Sequence, residues 1–268
     1  MDNRTFKKIC ELVYNVSGIA LNDNKRALVS ARIGKRITAL QMPDHRSYLD
    51  YLDQDDSGDE LVQLLDVIST NVTSFFRESD HYDFVSQIIP DWLSQGQKRF
   101  RLWSAACSTG EEPYSLAMTL LDIPRIVNAD LKILATDIST RVLAHSLSGV
   151  YPKKSLKTVS PKQLKLYFNR TIEAGMETYT VKDRLKELMT FKRLNLSKQP
   201  FPMRGPIDIV FCCNVMIYFD KTVREELVNE ISRLLRPGGY LIVGHSESLS
   251  GINTDLKIVQ PSIYRKDD

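Results

Sequence analysis

A short apolar run, Arg101-Leu102-Trp103-Ser104-Ala105, leads into Ala106-Cys107-Ser108-Thr109-Gly110 and then into Glu111-Glu112-Pro113, the opening of a helix. Small residues and one glycine at such a strand-to-helix turn let a ligand lie against the backbone. The turn lacks the spaced glycines of a dinucleotide fingerprint and the Gly-Lys-Ser/Thr of a phosphate loop. Two glutamates would also repel a pyrophosphate where phosphate sites rely on a free helix dipole. A ligand with positive charge and no phosphate fits better, and the sulfonium and ammonium groups of S-adenosylmethionine are of that kind. A plainer account makes both glutamates first-turn acids favoured by the dipole, which explains one of them easily.

Other polar residues stand at the ends of apolar runs. Leu134-Ala135-Thr136 ends in Asp137, whose carboxylate could accept both hydroxyls of a ribose or cap the helix starting near Ser139. The run Asp208–Cys213 ends in Asn214, an amide that points into the crevice or serves a turn. Upstream, Thr70-Asn71-Val72-Thr73-Ser74-Phe75-Phe76-Arg77-Glu78 has no helix or strand period. It is either a hinge whose phenylalanines fill a gap or a loop bringing hydrogen-bonding groups and a cation to a site.

The elements that must carry these residues fall into two kinds. The first ~70 residues read as helices only. Asp2 or Asn3 caps a helix with Phe6, Ile9, Cys10 and Val13 on one face, ended by Gly18. A second helix, about Asn24 to Leu40, buries Val29, Ile33, Ile37 and Leu40 and carries Lys25, Arg32, Lys35 and Arg36 elsewhere. Shorter helices follow around His45–Leu52 and Asp59–Ile68. From Phe100 onward, apolar runs alternate with amphipathic helices, the pattern of a parallel sheet in an α/β domain. The predicted strands are Phe100–Ala105, Leu131–Ala135, Met189–Leu194, Ile207–Cys212 and Tyr240–Val243, with two short ones at Leu256–Val259 and Ser262–Arg265. Helices are predicted near Glu112–Leu121, Thr140–Leu147 and Thr222–Leu235, the last stopped by Arg236-Pro237-Gly238-Gly239. Thr171–Val181 alternates about an Ala174-Gly175 turn and predicts a small antiparallel insertion.

Composition narrows the class. With 43% hydrophobic and 26% charged residues among 268, the chain is that of a water-soluble globular protein. No apolar run approaches the ~20 residues of a membrane span, and the polar Met1-Asp2-Asn3-Arg4 is no signal peptide, so a cytoplasmic location is expected. The four cysteines (Cys10, Cys107, Cys212, Cys213) have no zinc or disulfide spacing and are expected to be plain thiols, with no metal. A net charge of +3 does not argue for nucleic acid, and no aromatic-rich basic surface suited to stacking bases is evident. Its distribution is uneven: Met1 to Arg46 holds nine Lys or Arg against four acids, and Leu49 to Asp66 holds seven acids and no base. Such a front end selects an acidic partner or is simply solvated.

Five segments together resemble the chemotaxis receptor methyltransferase (CheR) family: Asn71–Arg77, Leu102–Ser115, Ala135–Ile138, Asn214–Phe219, and Leu235–Gly239 through Gly244–Glu247. The resemblance implies a small all-helical N-terminal domain (1–69) for receptor recognition and a linker (70–80) contributing to the cofactor site. A Rossmann-like class I S-adenosylmethionine methyltransferase domain (81–268) would follow, with a β insertion at about 171–190. It implies that Asn71, Thr73 and Arg77 line the cofactor pocket, that Glu112 holds the methionine part and Asp137 the ribose. Asn195 and Leu196 would flank the adenine, Cys213 and Asn214 would complete the pocket, and Arg77 and Tyr218 would stand at the reacting methyl group. Cys213 departs from the family, which commonly has arginine there. The implied substrate is a glutamate side chain on the cytoplasmic domain of a chemoreceptor, and the product S-adenosylhomocysteine. The enzyme would be a monomer, not inserted in the membrane, and would meet acidic receptor helices with Lys25, Arg32, Lys35 and Arg36. A cofactor-binding adaptor without catalysis, or a methyltransferase for another substrate, are the competing readings.

Overall fold

Asp2 starts the fold by accepting the Thr5 amide at 2.9 Å, which caps helix α1 (Asn3–Ser17). Gly18 ends it in the left-handed conformation, φ +71°, and a Cβ there would lie 2.5 Å from that of Ser197. Both the turn and the close approach of a second segment therefore require glycine. Helices α2 (Arg26–Ala39), α3 (His45–Asp53) and α4 (Asp59–Ile68) complete a bundle around Phe6, Ile9, Val13, Ile33, Tyr48 and Leu64. The computed structural model describes residues 1–68, 71–173 and 175–267. The predicted 69/70 boundary and Ala174 of the insertion's turn lie outside the described residues.

Arg36 is half-buried and paired within this bundle. Its guanidinium forks onto buried Glu60 at 2.8 and 2.5 Å, and Glu60 also accepts the Tyr48 hydroxyl at 2.7 Å. The spacing that predicts an Arg36 available to a partner does not reveal this acid 24 residues away. Removing one member of such a pair strands the other's charge, and Arg36→Met is expected to cost about 2–4 kcal/mol of stability. Thermal unfolding beside Lys35→Met, whose parent residue is exposed, checks this; equal melting points would refute the role.

The second domain opens with α5 (Asp80–Ser94), which the sequence pattern does not announce because Pro90 interrupts it and aromatic residues stand where strong helix formers are expected. Then follow β1 (Arg99–Ser104), α6 (Glu111–Leu121), β2 (Asp130–Asp137), α7 (Thr140–Ser148), β3 (Val150–Pro152), α8 (Pro161–Tyr167), β4 (Phe168–Glu173), β5 (Met176–Val181), α9 (Asp183–Lys186) and β6 (Met189–Arg193). The chain closes with β7 (Ile207–Cys212), α10 (Lys221–Leu234), β8 (Leu235–Val243), β9 (Leu256–Gln260) and β10 (Ile263–Lys266).

Seven strands form one sheet in the order β6-β2-β1-β7-β8-β10-β9, parallel except for β10. Successive residues of the central strands point to opposite buried faces: Leu102, Ile209 and Phe211 meet the α5–α6 side, while Trp103, Val210 and Cys212 meet α10. Strand order reverses between β1 and β7, and the open crevice lies at the carboxyl ends of those strands. The insertion is a separate three-stranded antiparallel sheet, β3-β5-β4. It begins at Val150, earlier than the alternation suggests, since β3 is three residues long and β4 is mostly exposed. Its last strand ends at Val181, and residues 183–190 form α9, a turn and the start of β6.

The helical bundle is tied to the loops at the crevice. The Ala20 amide donates to the Tyr218 carbonyl at 2.8 Å, Ile19 bridges Phe219, and the Asn195 amide donates to the Val16 carbonyl at 2.5 Å. Among the described residues no helix is long and apolar enough to cross a membrane.

Candidate cofactor and methyl-transfer site

One cavity at the carboxyl ends of β1, β2 and β7 is lined by Asn71, Thr73, Arg77, Glu112, Asp137, Asn195, Leu196, Cys213, Asn214 and Tyr218, together with Lys25 and Arg32 from α2 and the turn before it. Lys35 and Arg36 do not reach it. The cavity thus collects residues from both domains and from the segment joining them.

Gly110 caps α6 with φ +97°, and a Cβ would meet the Tyr151 hydroxyl at 2.7 Å. The two acids that follow separate at once. Glu111 turns inward, is buried, and accepts the Thr109 hydroxyl at 2.6 Å. Glu112 faces the cavity and accepts the Ser104 hydroxyl at 2.7 Å. Burial pushes the Glu112 carboxyl up to about 7, and the nearby charges of Glu78 and Glu247 add to the rise against the hydrogen bonds from Ser104 and Cys213. Asp137 accepts the Ser108 amide at 2.9 Å and the Ser139 amide at 3.0 Å. The cap of α7 falls to Ser139, which accepts the Val142 amide, so Asp137 joins the β1 turn to the end of β2. Burial raises the Asp137 carboxyl as well, despite its amide donors.

The segment before α5 is shaped by two non-glycine residues in the left-handed region, Phe76 (φ +52°) and Glu78 (φ +54°). Such geometry is strained and is found where surrounding contacts enforce it. Here Phe75 is buried edge-on against Tyr151 and Phe168, and the Phe76 amide donates to Ser115 at 2.9 Å. Arg77 is thereby held at the cavity mouth, donating to the Val72 carbonyl at 3.0 Å. Glu78, which sequence reasoning passes over, turns inward: it accepts the Asn214 amide at 3.2 Å and the His245 main-chain amide at 3.1 Å. An acid directly after the loop's only cation was the signal available for it.

Past β7, Glu247 organises the loop that carries Asn214 and Tyr218. It is buried and accepts the main-chain amides of Asn214 (2.7 Å), Gly244 (2.7 Å) and Ile217 (3.3 Å). Tyr218 lies under the Lys25 ammonium, 5.1 Å from the ring centre. Arg32 donates to the Ile68 carbonyl at 2.5 Å. The Asn195 side chain is engaged by Val16 and Ser197, so Leu196 supplies the apolar wall there. His245 pairs with Asp80 at 3.0 Å.

The inner cavity is therefore acidic, with Glu112 and Asp137 desolvated and Glu78 and Glu247 near them, while its mouth carries Arg77, Lys25 and Arg32. A carboxyl raised to about 7 by burial gains from a cationic ligand that stabilises its charged form, and the methionine end of S-adenosylmethionine, cationic and without phosphate, fits it.

Residues 71–265 match the family described as CheR methyltransferase, SAM binding domain, and residues 4–69 match CheR methyltransferase, all-alpha domain. The chain is 38% identical over 259 residues to a chemotaxis protein methyltransferase of Salmonella typhimurium, covering 97% of this chain and 88% of that one. Namesakes from Borreliella burgdorferi (38% over 266 residues, 97% and 93% covered) and Escherichia coli K12 (37% over 259 residues, 97% and 89% covered) are similar throughout. The sheet order, with its antiparallel β10 between β8 and β9, is that of a class I methyltransferase. By fold, site and similarity, this chain belongs to the CheR family of S-adenosylmethionine-dependent methyltransferases.

Proposed function

We propose that the enzyme methylates glutamate side chains on the cytoplasmic domains of chemoreceptors, as a monomer in the cytoplasm. The observation that carries this reading is the opposed charge of the cavity's two ends. The acidic interior suits the cationic cofactor, and the basic mouth admits an anion from outside. S-adenosylmethionine, when bound, supplies an electrophilic methyl group. A glutamate carboxylate, with a reference pKa of about 4.3, arrives already ionised and needs no general base. Arg77 orients it, and Tyr218, fixed by Lys25 and by Ala20, limits the angle of approach. Glu112, Asp137 and Leu196 hold the cofactor, with Asn71, Thr73, Cys213 and Asn214 closing the pocket. Alignment of this kind can contribute up to about 7–11 kcal/mol. Charge neutralisation during transfer favours a site that excludes water. The four free thiols agree with a reducing compartment.

The deciding experiment supplies labelled S-adenosylmethionine and a chemoreceptor cytoplasmic fragment, then mild alkali. Release of the label as methanol is expected and identifies a carboxyl methyl ester; absence of transfer would sink the substrate assignment. Lys35, exposed on α2 beside the cavity's helical wall, is left to steer the acidic receptor helix. Lys35→Glu is expected to slow receptor methylation several-fold at low salt and hardly at all near 1 M salt, where the Debye length is about 3 Å. Initial rates across an ionic-strength series check this, with S-adenosylhomocysteine affinity unchanged; a salt-independent defect would count against steering.

A further inference from the structure

We infer that Glu78, His81 and Cys213 form a binding site for a thiophilic divalent cation of the Zn²⁺ class, set in the wall of the cavity and incompatible with bound cofactor. The three side chains come from the strained turn, the first turn of α5 and the residue after β7, so their sequence spacing gives no hint of a metal site. Their ligand atoms all lie within 4.8 Å of one another. Tetrahedral zinc, with bonds of about 2.0–2.3 Å, needs ligand separations of roughly 3.3–3.8 Å. Small side-chain rotations close that difference.

His81 is the independent sign. It is 1% exposed and lines the cavity, its Nδ1 stands 3.7 Å from Glu78 Oε2, and its Nε2 has no partner among the described residues. A buried imidazole nitrogen without a hydrogen-bond partner is anomalous for a structural histidine. Among the described residues, the Cys213 thiol makes a long 3.7 Å contact to the Ile242 carbonyl and a contact to Glu112. One thiolate, one imidazole and one carboxylate are donors for Zn²⁺ rather than for Mg²⁺ or Ca²⁺. Coordination breaks the Cys213 S–H bond, forms a sulfur–metal bond, and releases the proton to solvent. Glu112, which the Cys213 thiol contacts, stands beside the trio. A metal there places its charge where the cofactor's cationic end is proposed to lie. The exclusion, though not the metal site, rests on that reading of the cavity. The neighbouring trio Asp80, His81 and His245 shares His81, but its other two members are exposed and already paired.

Titration of the chelator-stripped enzyme with Co²⁺, as a spectroscopic substitute for Zn²⁺, tests the inference. Expected are one equivalent bound at about micromolar affinity or tighter and a thiolate-to-cobalt absorption band. Zn²⁺ should displace the cobalt, and saturating S-adenosylhomocysteine should weaken binding at least tenfold. Cys213→Ser should abolish the band, and His81→Gln should weaken binding at least tenfold, each in protein with unchanged circular dichroism. A band persisting in Cys213→Ser, or affinity no better than about millimolar, overturns the site. Metal binding indifferent to S-adenosylhomocysteine overturns the exclusion. S-adenosylhomocysteine binding to stripped enzyme, measured alone, separates these results: its failure beside intact metal binding would indict the cofactor reading and leave the metal site standing.

Discussion

Glu112→Gln is expected to lower affinity for S-adenosylmethionine and S-adenosylhomocysteine by about 100-fold or more, while making the cofactor-free enzyme more stable at neutral and alkaline pH. The carboxylate faces the cavity with Ser104 and Cys213 as donors and with Glu78 and Glu247 as like charges. A ligand ammonium against it forms a desolvated ion pair, whose disruption from one side costs about 2–5 kcal/mol. The stability effect has the opposite sign. Glu112 titrates near 7 in the folded chain against 4.5 for an unperturbed glutamate. Between those values the native state holds a proton that the unfolded state has lost, so stability falls as pH rises through that window. The neutral amide escapes this penalty, on the order of 3 kcal/mol above pH 7.

Cofactor affinity should move the other way with pH. A cationic ligand favours the carboxylate, so wild-type affinity should rise toward about pH 7 and then level, with up to roughly tenfold change per unit below it. Calorimetry with S-adenosylhomocysteine between about pH 5.5 and 7.5, in chelator-containing buffer, reads this slope. A flat wild-type profile, or a slope surviving in Glu112→Gln, would remove Glu112 from the role.

Arg77→Ala should separate catalysis from binding. Turnover is expected to fall by about 10²–10³, in line with loss of a preorganised cation, while S-adenosylhomocysteine affinity stays within about threefold. The guanidinium sits at the mouth on a turn held by Phe75 and Ser115, donates to the Val72 carbonyl and stands 4.0 Å from Glu78. Arg77→Lys keeps the charge without the planar fork and should recover only part of the loss. Single-turnover rates beside equilibrium binding give both quantities. Equal losses in the two would mean that Arg77 serves the cofactor and not the incoming carboxylate.

The sheet was legible because its central strands, β7 above all, are buried on both faces and read as apolar runs. Predicted and observed limits of β7 coincide, at Ile207–Cys212. α4 was equally clear, at Asp59–Ile68. α5 was not, since Pro90 and an aromatic-rich face hide its period. The split between Glu111 and Glu112 could not be read from adjacent identical residues. It depends on Thr109 standing on one side of the turn and Ser104 on the other. Arg36 misled for the converse reason: helical spacing placed it beside Arg32 and Lys35, while its acid lies on another helix. Glu78, His81 and Glu247 take their places only through folding, because each acts on a partner far away in the chain.

The contacts of Val16, Ile19 and Ala20 with Asn195, Phe219 and Tyr218 bear on how such enzymes can be rebuilt. The helical bundle looks like an interchangeable targeting module, yet its edge is one wall of the ligand chamber. A hybrid made by grafting another relative's bundle at the interdomain junction would inherit a foreign wall as well as a foreign address. Re-targeting therefore calls for a graft that keeps residues 16–21 native, or that exchanges the loops after β6 and β7 along with the bundle.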